Sequence, residues 1–164
     1  MHDLYRQSFK IEDFADEDYI SIVSPLLEES GIQNLDNYIQ HSDITTLKHV
    51  KSVSYISYKL CRHLGWDYKA AARAGILHDY VTYDWHDPDP SHRLHGFRHP
   101  GFALKNAKEI TDLSPVEENC IKRHMWPLTV IPPLYKEAWL LSAVDKYCAT
   151  KETFRKYRMH PEEV

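Results

Sequence analysis

Apolar residues recur along the chain at steps of three and four, the spacing of one face of an α-helix, and nowhere alternate long enough to predict a sheet. Phe14, Tyr19, Ile22, Val23, Leu26 and Leu27 keep this rhythm and predict an opening helix over residues 13–29, with Gly31 where such a helix stops. A short helical turn over residues 35–40 follows. Ser42 and Asp43 then offer capping oxygens to a long helix that runs to residue 64 and is closed by Gly65. Asp67 caps a third helix through the alanine-rich stretch 70–77, whose small side chains permit close packing. The rhythm lapses over residues 81–98, where Asp87-Pro88-Asp89-Pro90-Ser91 reads as loop. A loop of this length in a small domain is often functional. Helical spacing resumes over residues 100–110, and Ser114-Pro115-Val116-Glu117 joins a capping box to a proline in the first turn of a helix ending near residue 125. A turn over 127–133 precedes a last long helix over 134–149, with a separate basic tail helix through residue 158.

These elements predict an all-α, compact single-domain helical bundle over residues 1–164, a length that buries one core but not two. With 43% apolar and 27% charged residues the composition is that of a soluble folded chain. A net charge of -4 supplies no basic face for duplex nucleic acid, so any anionic substrate must be attracted locally. Cys61, Cys120 and Cys148 are odd in number and lack CxxC spacing, which predicts reduced, mostly buried thiols instead of a disulfide framework or zinc ribbon. No apolar run is long enough for a signal peptide or membrane span, and a cytoplasmic location is expected.

Histidine changes the picture: there are 11, and most fall between His41 and His124. His49 lies on the apolar stripe of the second helix, four residues before Val53, with Ile56, Leu60 and Leu64 beyond. His78 follows Ala74 by four, His124 follows Val116 and Cys120 at steps of four, and Asp145 follows Ala138 and Leu141 at steps of three and four. Each of these helices thus sends one ionisable group inward. An ionised group in a core costs several kcal/mol unless it is paired or metal-bound, and neutral imidazole and carboxylate are the usual donors to zinc, iron, manganese and nickel. For any one of these histidines a hydrogen bond within the core is the simpler reading; several on separate helices favour metal.

Leu47-Lys48-His49-Val50, Ala74-Gly75-Ile76-Leu77-His78-Asp79-Tyr80, Arg123-His124-Met125 and Ala143-Val144-Asp145-Lys146 occur in an order that resembles the HD-domain phosphohydrolase superfamily. The resemblance covers residues 44–149 and is closest to bacterial binuclear HD hydrolases of the diadenosine polyphosphate type, which bind two iron ions. It implies a helical bundle of the HD type in which His49, His78, Asp79 and Asp145 hold a first metal, and His99, in Arg98-His99-Pro100-Gly101, and His124 add a second. His95, one helical turn from His99, competes for the third histidine position; the resumed helix and the face continued by Ala103 and Ala107 favour His99. Trp126-Pro127 and the proline-containing loop depart from that subgroup, leaving the substrate open.

The implied activity is hydrolysis of a phosphoester or phosphoanhydride in a nucleotide or other small phosphorylated metabolite by a metal-activated hydroxide, with Asp79 bridging the ions and orienting the attack. Fe, Mn, Zn and Ni all suit these ligands, with two ions expected and one as the alternative, in a monomer or a homodimer. Arg98, Arg123 and Lys146, each adjacent to a ligand, are candidates to bind substrate phosphate; adjacent residues diverge around a helix, so some of them point away. Tyr83, Trp85 and Trp126 are candidates to stack on a base, against the alternative of ordinary packing. A catalytically silent HD-type nucleotide-binding or signalling module, and an HD-type di-iron oxygenase, remain as alternatives.

Overall fold

The computed structural model describes residues 1–8, 16–41, 43–82 and 95–159. In chain order these form α1 (His2–Ser8), α2 (Glu17–Leu27), α3 (Ser30–Gln33), a 3₁₀ turn (Asn34–Asn37), β1 (Ile39–His41), β2 (Ile44–Thr45), α4 (Thr46–Leu64), α5 (Tyr68–Leu77), α6 (His95–Ile110), α7 (Pro115–Arg123) and α8 (Lys136–Met159). The architecture is mostly helical, and the expected all-α class holds in that sense. The departure is a small antiparallel ribbon in which β1 pairs with β2, over a stretch expected to be partly helical.

The strongest local signals act as expected. Asp67 Oδ1 accepts from Ala70 N at 3.0 Å and starts α5. Ser114 and Glu117 form the reciprocal capping box of α7 with Pro115 in its first turn. Gly65 ends α4 in the left-handed conformation, with φ +66°, that glycine adopts without steric cost.

Other boundaries differ for identifiable reasons. Asp16 caps α2, which starts at Glu17 and stops at Leu27 instead of near Gly31; residues 13–15 of the expected helix lie outside the described ones. Gly31 sits in α3, where a Cβ would run into the Tyr80 ring, so its role is close packing. Thr45, not Asp43, caps α4 through Lys48 N, and Ser42 lies outside the described residues. α6 begins at His95 and runs through Pro100, ahead of the expected start. The last two expected helices are one continuous α8.

The core lies between α4 and the helices around it. Val50, Val53, Ile56, Ala74, Ile76, Leu77, Ala103, Ala107, Cys120, Ile121, Ala138, Leu141 and Val144 are all buried, and each large aliphatic among them contributes roughly 1.5–3 kcal/mol on leaving water. α4 and α5 approach closely because Gly75 faces the Ser54 backbone. The buried hydroxyl of Ser54 is used as well, accepting from Tyr19 and donating to the Ala72 carbonyl at 2.6 Å. All three cysteines are free and buried. Among the described residues no helix is long and apolar enough to cross a membrane.

Candidate metal centre

Helix ends deliver the inward-facing groups. His78 and His124 are the C-caps of α5 and α7, where the final carbonyls lack helical partners. Each imidazole supplies the missing donor, from Nδ1 to the carbonyl three residues earlier: Gly75 O at 2.9 Å for His78 and Ile121 O at 2.8 Å for His124. A carbonyl can only accept, so Nδ1 carries the hydrogen and Nε2 points onward with its lone pair. His49, in the first turn of α4, is held by a different partner: its Nδ1 lies 2.8 Å from Oε2 of Glu152 on α8.

The Nε2 atoms meet at Asp79, one residue past the α5 cap. Its two oxygens face different ways. Oδ2 lies 3.8 Å from His49 Nε2 and 3.5 Å from His78 Nε2. Oδ1 lies 3.1 Å from His99 Nε2 and 3.5 Å from His124 Nε2, and those two ring nitrogens are 2.8 Å apart. Asp145 completes the first group, with Oδ1 at 3.2 Å from His49 Nε2 and 3.7 Å from His78 Nε2. All six expected residues are thus brought together and buried, and the groups His49–His78–Asp79 and Asp79–His99–His124 could each hold a metal ion.

The donor set fits such an ion. Donors ~2.1 Å from a common cation stand ~3.0 Å apart at right angles and ~3.4 Å apart in a tetrahedron, and the separations above, from 2.8 to 3.8 Å, bracket those values. His78 Nε2 and Asp79 Oδ1 are buried with no hydrogen-bond partner among the described residues, an arrangement that costs free energy unless something else engages them. With Nδ1 of His49 committed to Glu152, its Nε2 faces the Asp145 carboxylate across 3.2 Å. Lone pair and anion are compatible there only with a proton or a cation between them.

Without metal, protons take that place. Burial disfavours charge on His49, but the Glu152 charge and the hydrogen bonds to Asp145 and Glu152 outweigh it and raise its pKa well above the ordinary value. His78 is likewise raised, burial being overcome by Asp79 and Asp145. Burial also opposes ionisation of Asp145, yet the hydrogen bond with His49 and the charge of His78 beside it hold its carboxyl well below the usual range. Asp79 is depressed too, His78, His99 and His124 prevailing over burial. His124 goes the other way, pushed down to about 3 by burial and by His99 and His78 beside it.

Around the cluster, Gln40 on β1 donates from Nε2 to Asp79 Oδ2 at 2.7 Å, while its Oε1 accepts from Thr46 at 3.1 Å. The ribbon thereby steadies the central carboxylate. Lys146, a candidate phosphate ligand, directs its ammonium to the His124 carbonyl at 2.7 Å and to the hydroxyl and carbonyl of Ser142 at 2.9 and 3.2 Å. It therefore supports the end of α7 and does not point into the centre. Arg98 is exposed with its guanidinium 5.2 Å from the Phe102 ring, and Arg123 is half-buried in the last turn of α7. Trp126 packs edge-on against Trp139 at 4.7 Å. Tyr83 and Trp85 lie outside the described residues, as does the His95 side chain. Of the other histidines, His2 and His63 are exposed.

Two participants lay outside the sequence reading. Glu152 follows Asp145 by seven residues, two helical turns on the same face, and that spacing could have exposed it. Gln40 carried no signal, because its contact arises from a ribbon the hydrophobic pattern does not predict. No protein-family model, curated protein or solved structure matches the chain.

Proposed function

We propose that this chain is a metal-dependent phosphohydrolase of the HD type that splits a phosphoester or phosphoanhydride of a nucleotide or other small phosphorylated metabolite, and that it holds two divalent ions. The observation carrying this reading is the division of Asp79: one carboxylate oxygen faces His49 and His78, the other His99 and His124. A single-ion site needs no such division. His49, His78, Asp79 and Asp145 would hold one ion, and His99, His124 and Asp79 the other. Bound divalent cations supply charge that polarises phosphoryl oxygens and makes water a nucleophile at neutral pH.

The chain's own residues do the rest. Nδ1 hydrogen bonds fix the rings of His49, His78 and His124, so the donors are set in place before a substrate arrives. Gln40 holds Asp79 against rotation, which would exchange its oxygens between the two groups. No serine or cysteine nucleophile lies in the cluster among the described residues, in keeping with direct attack by water on phosphorus. The new P–O bond comes from water, and the leaving oxygen departs with a proton.

Release of phosphate or nucleotide from a panel of nucleotides, dinucleoside polyphosphates and phosphosugars, with Mn(II), Fe(II), Co(II), Ni(II) or Zn(II) added, tests the reading. Turnover should fall by about 100-fold or more in His78→Ala and Asp79→Ala, the loss of ~3 kcal/mol of charge stabilisation. No hydrolysis with any metal, or activity unaffected by both substitutions, contradicts it. Oxygen consumption on an organic substrate would point to oxygenase chemistry instead.

A further inference from the structure

We propose that Glu152 is a positioning residue that sets the metal affinity of the first donor group, holding His49 by Nδ1 so that Nε2 faces Asp145 and Asp79. The inference rests on the metal-site reading above.

Glu152 is 0% exposed, a costly place for a carboxylate. Its Oε2 meets His49 Nδ1 at 2.8 Å, and its Oε1 has no hydrogen-bond partner among the described residues. A glutamate recruited for structural pairing would engage both oxygens, as Glu117 does with Ser114 and Arg73. Glu152 instead directs one oxygen at one ring.

Its necessity follows from where His49 lies. His78 and His124 sit at helix C-termini and use carbonyls the helix leaves unpaired. In the first turn of α4 the preceding carbonyls are already engaged by the helix ladder, so the orienting acceptor for His49 must come from another element. α8 supplies it two turns after Asp145, and His49 is clamped at its two nitrogens by two carboxylates of one helix face, at 3.2 and 2.8 Å. A carboxylate acceptor on the far ring nitrogen makes the ligating nitrogen a stronger donor than a carbonyl does, and removing such a partner typically weakens metal binding 10–100-fold. Glu152 therefore strengthens His49 as a donor beyond His78 and His124, each of which is backed by a backbone carbonyl.

Cobalt(II) titration of the full chain after chelator treatment, followed by ligand-field absorption and calorimetry, tests this. Glu152→Gln keeps an acceptor but loses the charge; Glu152→Ala loses both. The expected order of affinity for the tighter event is wild type, then Glu152→Gln about 10–100-fold weaker, then Glu152→Ala, with the weaker event unchanged. Wild-type affinity at both events in Glu152→Gln overturns the proposal, and so does equal weakening of both events, which would mark a purely structural role. A wild-type chain that binds no cobalt removes the metal reading itself and this inference with it, an outcome distinct from the other two.

Discussion

Because the Nδ1 atoms of His78 and His124 donate to carbonyls three residues earlier, neither ring can turn without leaving a helix-end carbonyl unpaired. The charges packed around the rings determine how the centre responds to pH. In protein stripped of metal, the raised pKa values of His49 and His78 give stability that is fully present below their unfolded value of about 6.5 and is lost as pH rises through the folded values. The depressed carboxyls of Asp79 and Asp145 give stability present above about 3.9 and lost as pH falls. His124, lowered to about 3, opposes folding below its unfolded value and has no further effect above it. Of these five groups, His49 and His78 are the ones whose contribution falls on raising the pH from about 6.5 to 8, and the stripped protein should unfold at lower temperature across that window. Metal-loaded protein should show the opposite trend, since ligation requires neutral imidazole. Thermal unfolding of both forms across the window checks this; stability of the stripped form rising with pH would contradict it.

At the scale of elements, each ligand is only as well placed as its helix. α7 depends on Glu117, whose Oε2 accepts from Ser114 N at 2.7 Å while Oε1 accepts from Arg73 at 2.6 Å. Ser114→Ala should cost about 1 kcal/mol, the loss of a cap. Glu117→Ala should cost more, about 2–3 kcal/mol, because Arg73 then loses its charged partner. Urea unfolding of both variants measures the difference, and equal costs would argue against the dual role. The α4–α5 crossing is limited by Gly75, where a Cβ would meet Ser54 backbone that no rotamer change can move aside. Gly75→Ala should therefore destabilise by about 1–3 kcal/mol in the same assay, despite the better helix propensity of alanine. Such features also show what the sequence could disclose. Capping at Asp67 and Ser114, the stop at Gly65 and the inward phase of His49, His78, His124 and Asp145 are local and were legible. Gln40 on Asp79, Glu152 on His49 and Lys146 on the His124 carbonyl depend on contacts between distant segments, which periodicity does not encode. His99 is reached through its helix and a resemblance; it lies buried beside His124, while the side chain of its competitor His95 lies outside the described residues.

For the whole molecule, the six residues come from α4, the end of α5, α6, the end of α7 and α8. An ion held among them joins most of the core helices, so metal should stabilise the folded chain as well as equip it for chemistry. At free metal about 100 times Kd the gain is ~2.7 kcal/mol for each site, or roughly 5–11 °C in unfolding temperature for a chain of this size. A chelator should reverse it, and an unfolding temperature indifferent to both metal and chelator would contradict this coupling. The central claim is that Asp79 divides one buried cluster between two ions. Elemental analysis of the purified chain, equilibrated with Mn(II) or Fe(II) and freed of excess, tests it most directly. The account predicts about two equivalents in the wild type, about one in His99→Ala and little in Asp79→Ala, all three remaining folded by circular dichroism. A wild type that retains no metal, or an Asp79→Ala variant that retains two equivalents, would contradict it.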